Sequence, residues 1–115
     1  MEKVISHSDF LSRTAKAEKS LLLLYKAGSE LSDCAFKNLK NAVNISSGTI
    51  IYYADVTSVS DIHQVYGITS VPALLVFTKG KLKNIIKGCQ GSSYYKALAE
   101  STLFKHFRLI ISRCG

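Results

Sequence analysis

The chain has 115 residues, of which 47% are apolar and 20% charged, a balance that fits one globular domain with its own core and excludes a disordered segment. Its formal charge of +7 sits in one half: residues 1–61 hold seven basic and seven acidic side chains, whereas residues 62–115 hold eight Lys and Arg against Glu100 alone. A basic half suits nucleic acid, an anionic surface or an acidic protein. No aromatic-interleaved RNA motif accompanies it, however, and Lys79, Lys81, Lys83 and Lys87 read as the solvated side of an edge strand, so nucleic acid is not expected as a partner.

In chain order, "KVISHSDFLSRTAKAEK" predicts a short strand, a cap at Ser8 and a helix turning Phe10, Leu11 and Ala15 inward. "SLLLLYKA" is a continuous apolar strand of the kind buried on both faces of a sheet. From about Asp33 to Val43, apolar residues Ala35, Phe36, Leu39, Ala42 and Val43 recur at helical spacing, and "SSG" then makes a turn. "TIIYYADV" is a strand in which the consecutive Tyr52 and Tyr53 must point to opposite faces. "SVSDIHQVYGI" predicts a short helix capped by Ser58 or Ser60 and stopped at Gly67.

"PALLVFTKGKLKNIIKG" reads as a hairpin with a Lys-Gly turn, its second strand alternating Leu82, Asn84 and Ile86 with Lys81, Lys83 and Lys87. From Ser92 onward, Tyr95, Leu98, Leu103 and Phe107 indicate a last helix, while "FRLIISRCG" is compatible with a helix extension, an added strand or a tail. The order β-α-β-α-β-α-β-β-α predicts an α/β domain over residues 1–105, with a mixed central sheet, helices on both faces and a C-terminal extension at 106–115.

Three cysteines, Cys34, Cys89 and Cys114, are odd in number and far apart, which argues against a disulfide framework. His7, His63 and His106 are scattered, so no zinc site or other metal is expected, and no cofactor. The run at residues 21–24 is too short to span a bilayer and no secretory leader is visible, so the expectation is a cytoplasmic protein without a transmembrane segment.

The element order together with "YGITSVPALLVFTKGK" resembles the thioredoxin family over about residues 4–100, most closely from Tyr66 to Gly88. The matching features are Tyr66-Gly67-Ile68, Val71-Pro72 before a strand, Gly80 in the hairpin, Gly88 after it, and "ADVT" at 54–57. The resemblance implies the thioredoxin fold, a cis bond before Pro72, and a Val71 backbone that pairs with an extended peptide. The implied groove is rimmed by Tyr25, Gly28, Ser29, Ser70, Val71, Pro72, Gly88 and Cys89.

The family's chemistry needs C-x-x-C at a helix N-terminus, where the helix dipole favours the attacking thiolate and a second thiol resolves the mixed disulfide. The ungapped alignment places Ser29, Glu30, Leu31 and Ser32 there, and both thiols become hydroxyls; a helix N-cap is the ordinary role for either serine. Inserting two residues instead aligns Leu31, Ser32, Asp33 and Cys34, which leaves Cys34 in the resolving position and leucine in the attacking one. The buried acid that assists proton transfer in the family falls on Leu23 or Leu24. The resemblance therefore implies a protein without dithiol oxidoreductase activity that binds a protein or peptide segment. The alternative is a redox protein acting through Cys34 as a single thiol.

Overall fold

A computed structural model describes residues 1–45 and 50–100. The expected "SSG" turn, Leu103, Phe107, Cys114 and the 106–115 extension lie outside the described residues. The elements are β1 (Glu2–Lys3), α1 (His7–Thr14), β2 (Lys19–Tyr25), α2 (Glu30–Ile45), β3 (Ile51–Asp55), α3 (Asp61–Val65), β4 (Ala73–Thr78), β5 (Lys81–Lys87) and α4 (Ser92–Ala99). They form a five-stranded sheet in the order β1-β3-β2-β4-β5. β1, β3 and β2 are parallel, and β4 and β5 run antiparallel.

The central strand explains the layering. Leu21, Leu22, Leu23 and Leu24 are all fully buried because alternate side chains enter opposite cores. Leu22 and Leu24 join Phe10, Tyr52, Ile62, Leu75 and Phe77 beneath α1 and α3. Leu21 and Leu23 join Ala35, Leu39, Leu74, Ile86 and Tyr95 beneath α2 and α4. Tyr52 and Tyr53 divide between the two faces in the same way.

Two local expectations change. The cap of α1 is Ser6, not Ser8: its Oγ accepts the Asp9 N–H at 3.0 Å, while the Asp9 carboxylate accepts the Ile5 N–H at 3.0 Å. That backbone bond, aided by Arg13, holds the Asp9 carboxyl below its ordinary value. The helix so started buries Phe10 and Thr14, four residues apart, and leaves Leu11 and Ala15 exposed on the far side.

In β5 the register slips between Val76 and Phe77, which pair with Asn84 and Leu82 and leave Lys83 as the extra residue of a bulge. The simple alternation is broken: Leu82 packs with Phe77 on one face, while Ile86 enters the other core. The hairpin turn itself has positive φ at both Lys79 (52°) and Gly80 (81°), as a tight turn twisted to match its strands requires. Lys79, Lys81, Lys83 and Lys87 are exposed along the edge, as charges that discourage further strand pairing should be.

Candidate functional site

Strand pairing brings three segments to one end of the sheet. Leu24 lies opposite Ala73, so the turn after Tyr25 meets Pro72; Ala73 lies opposite Lys87, so Gly88 and Cys89 arrive beside both. The Val71-Pro72 bond is cis. Pro72 is buried, Val71 half-buried and Ser70 exposed. The Pro72 carbonyl accepts the Gly88 N–H at 2.9 Å, which ties the proline loop to the segment carrying Cys89.

On the opposite side, Tyr25 packs its ring 5.2 Å from Phe36 and 6.1 Å from Tyr53, and this burial, with Asp55 nearby, raises its hydroxyl's pKa. Gly28 then adopts φ 87°, a conformation that favours glycine in the turn. Ser29 immediately precedes α2, and its carbonyl accepts the Asp33 N–H at 2.8 Å. Glu30 and Leu31 are exposed. Ser32 is fully buried, with its Oγ accepting the Lys26 N–H at 3.0 Å, so its hydroxyl serves the turn rather than a helix N–H. Asp55 braces the same turn from β3: one carboxylate oxygen accepts from Thr57 N–H and hydroxyl at 2.9 and 2.7 Å, the other from Ala27 N–H at 3.4 Å. The Thr57 bonds keep the Asp55 carboxyl below its usual range. An open depression of about 300 Å³ beside the turn is lined by Tyr25, Asp33, Phe36 and Lys37.

The arrangement sequence reasoning missed is that Cys34 and Cys89, 55 residues apart, are joined by a disulfide with their Cα atoms 5.8 Å apart. Cys34 is therefore not a thiol without a partner. Spacing gave no hint, because the hairpin that returns Cys89 to α2 is a tertiary event; its position just after Gly88 was the one usable signal. Cys34 is exposed on α2 and Cys89 is half-buried. Asn38, one turn beyond Cys34, directs its amide nitrogen to the Gln90 carbonyl at 2.9 Å, to Cys89 Sγ at 3.5 Å and to Cys34 Sγ at 3.7 Å.

Tyr95 holds this loop from below. Fully buried on α4, its hydroxyl accepts the Gln90 N–H at 3.1 Å and donates to the Gly88 carbonyl at 3.4 Å. Tyr95→Phe removes both bonds while keeping the ring. The expected loss is about 1–3 kcal/mol, measured as a lowered urea midpoint with the m-value unchanged.

Leu23 and Leu24 are buried and apolar where the sequence resemblance places a proton-carrying acid. Among the described residues, no group of His, Cys, Asp and Glu is placed to hold a metal ion, and no helix is long and apolar enough to cross a membrane.

Solved thioredoxins are similar to this chain over most of its length. That of Plasmodium falciparum superposes with a TM-score of 0.77 at 20% identity, covering 88% of this chain and 98% of its own. A mutant thioredoxin of Halobacterium salinarum gives 0.78 at 19% identity, covering 87% and 88%. Oxidized mitochondrial thioredoxin 3 of Saccharomyces cerevisiae gives 0.74 at 16%, covering 84% and 92%. The chain has the thioredoxin fold. No protein-family model and no curated protein matches its sequence.

Proposed function

We propose that this thioredoxin-fold protein is a cytoplasmic module that binds an extended protein or peptide segment in the groove beside Val71 and Pro72, without dithiol chemistry at the start of α2. The observation that carries the reading is the convergence of that turn, the proline loop, Gly88 and Cys89 at one end of the sheet, with hydroxyls at positions 29 and 32. A hydroxyl is not ionised near neutral pH and forms no disulfide, so a geometry suited to delivering a peptide keeps only its binding capacity. The half-buried Val71 and Tyr25 supply apolar surface, and the exposed Ser70 marks the open side of the loop. Redox chemistry by Cys34 as an isolated thiol has less support, because Cys34 shares a bond with Cys89.

The test is an NMR titration of the isotopically labelled full chain with a reduced, carboxymethylated and therefore permanently unfolded polypeptide. Shifts confined to the amides of residues 25–32, Ser70, Val71, Gly88 and Cys89 are expected. Shifts along the Lys81, Lys83 and Lys87 edge instead, or none at millimolar probe, would remove the groove reading.

A further inference from the structure

We infer that the Cys34–Cys89 disulfide is a thiol–disulfide exchange site, separate from the start of α2, with thiols as its substrates, Cys34 as the attacked sulfur and Cys89 as the leaving sulfur. It does not rest on the groove reading.

Three observations support the assignment. The first is asymmetry of access: Cys34 stands exposed on the helix, whereas Cys89 is half-buried, so an incoming thiolate reaches Cys34. The second is Asn38. Its amide has two N–H groups; the bond to Gln90 fixes the nitrogen, and the other N–H is left for the sulfurs, Cys89 being the nearer at 3.5 Å. A disulfide sulfur is a weak acceptor and a thiolate a strong one, so Asn38 stabilises the Cys89 thiolate as it leaves and speeds opening of the bond. The third is that both cysteines are held from elsewhere. Cys34 is carried by a helix whose Ala35 and Leu39 are buried in the core, and Cys89 follows a residue bonded to Pro72 in a loop tied to Tyr95. Opening the bond leaves the sulfurs close, and the Cys89 thiol then has the Gln90 carbonyl at 3.7 Å as acceptor.

The exchange balances without a further reagent. A thiolate RS⁻ attacks Cys34 Sγ, forming an R–S–Sγ bond; the Cys34–Cys89 bond breaks and its electron pair leaves on Cys89 Sγ, which takes a proton from water. A second thiolate attacks the R sulfur, releasing the disulfide of the two substrates and leaving the pair on Cys34 Sγ. Two substrate thiols are oxidised to one disulfide while the protein disulfide is reduced to two thiols. The reverse sequence reduces a substrate disulfide.

The test equilibrates the full chain carrying Cys114→Ser in buffers spanning reduced to oxidised glutathione, followed by acid quench, alkylation and intact-mass measurement. Expected is one two-electron transition in which Cys34 and Cys89 convert together. A Cys89→Ser variant should accumulate a glutathione adduct on Cys34 roughly tenfold faster than Cys34→Ser does on Cys89. Asn38→Asp, which keeps the shape but removes the donors, should slow opening of the disulfide by glutathione roughly tenfold with the thermal melt of the reduced protein unchanged. Repeating the rates with an unfolded single-cysteine peptide separates the sources: faster reaction than with glutathione marks polypeptide thiols, equal or slower reaction marks small ones. A disulfide that survives excess reduced glutathione until denaturant is added is a structural clasp, and thiols that stay free in oxidised glutathione form no pair; either overturns the inference. An unchanged opening rate in Asn38→Asp overturns the role given to Asn38. Because the readout is exchange, it can fail while the unfolded polypeptide still binds, and the reverse.

Discussion

Ser29→Cys and Ser32→Cys together are expected to produce a disulfide reductase, with dithiothreitol-driven insulin reduction rising roughly tenfold or more above the unsubstituted chain. The helix supplies the missing half of the chemistry. Ser29 stands immediately before Glu30, where a helix terminus carries about half a positive charge and unpaired N–H groups, so a thiol there ionises more readily than a free one. Cys at 32 would sit fully buried under it, the position of a resolving thiol. The Lys26 N–H now bonded to Ser32 would lose a good acceptor, a cost of about 1 kcal/mol that a stable domain tolerates. With buried leucines at 23 and 24 and no acid to move the proton, the gain should be partial. The comparison that discriminates is Leu31→Cys, which writes a C-x-x-C ending at the native Cys34. Because Leu31 is 58% exposed and Cys34 keeps Cys89 as its exchange partner, that variant is expected to add nothing to the rate of the unsubstituted chain. Activity from Leu31→Cys and none from the double serine variant would reverse the placement of the motif.

Phe10→Ala should cost about 3–5 kcal/mol, a large share of the roughly 5–15 kcal/mol that holds a domain of this size folded. Phe10 is 1% exposed and is the main anchor of α1. Its ring lies 5.0 Å from Phe77 and 5.7 Å from Tyr52, edge-on to the latter, and Phe77 in turn meets Tyr66 at 5.3 Å. Truncation leaves a void beside the rings of Tyr52 on β3 and Phe77 on β4, which the pairing of both strands with β2 keeps from moving inward. Urea unfolding followed by circular dichroism reads the loss directly. A change below about 1 kcal/mol would mean that α1 does not close that face of the sheet.

Much of the fold was legible because it follows from local rules that the tertiary structure did not override. An unbroken apolar run at 21–24 has no stable place except the centre of a covered sheet, and that is where it sits. Tyr52 and Tyr53 had to divide between faces, and they do. The misreadings came from choices local pattern leaves open. Ser6 and Ser8 are both competent caps, and Asp9 decides between them by reaching back to Ile5. The bulge at Lys83 has no composition signal, because it arises where two strands compete for register.

For the site, the sequence alone determined what residues 29–32 lack, since no packing turns a hydroxyl into a thiol. It also determined the proline loop, because Val71-Pro72 stands just before an apolar strand. Tertiary structure decided which groups meet. A hairpin return between residues 73 and 87 places Cys89 against a helix 55 residues earlier, and Asn38 and Tyr95 then fix the loop around the sulfurs. Pairing at that separation depends on strand register and helix packing, quantities that no spacing of three cysteines encodes.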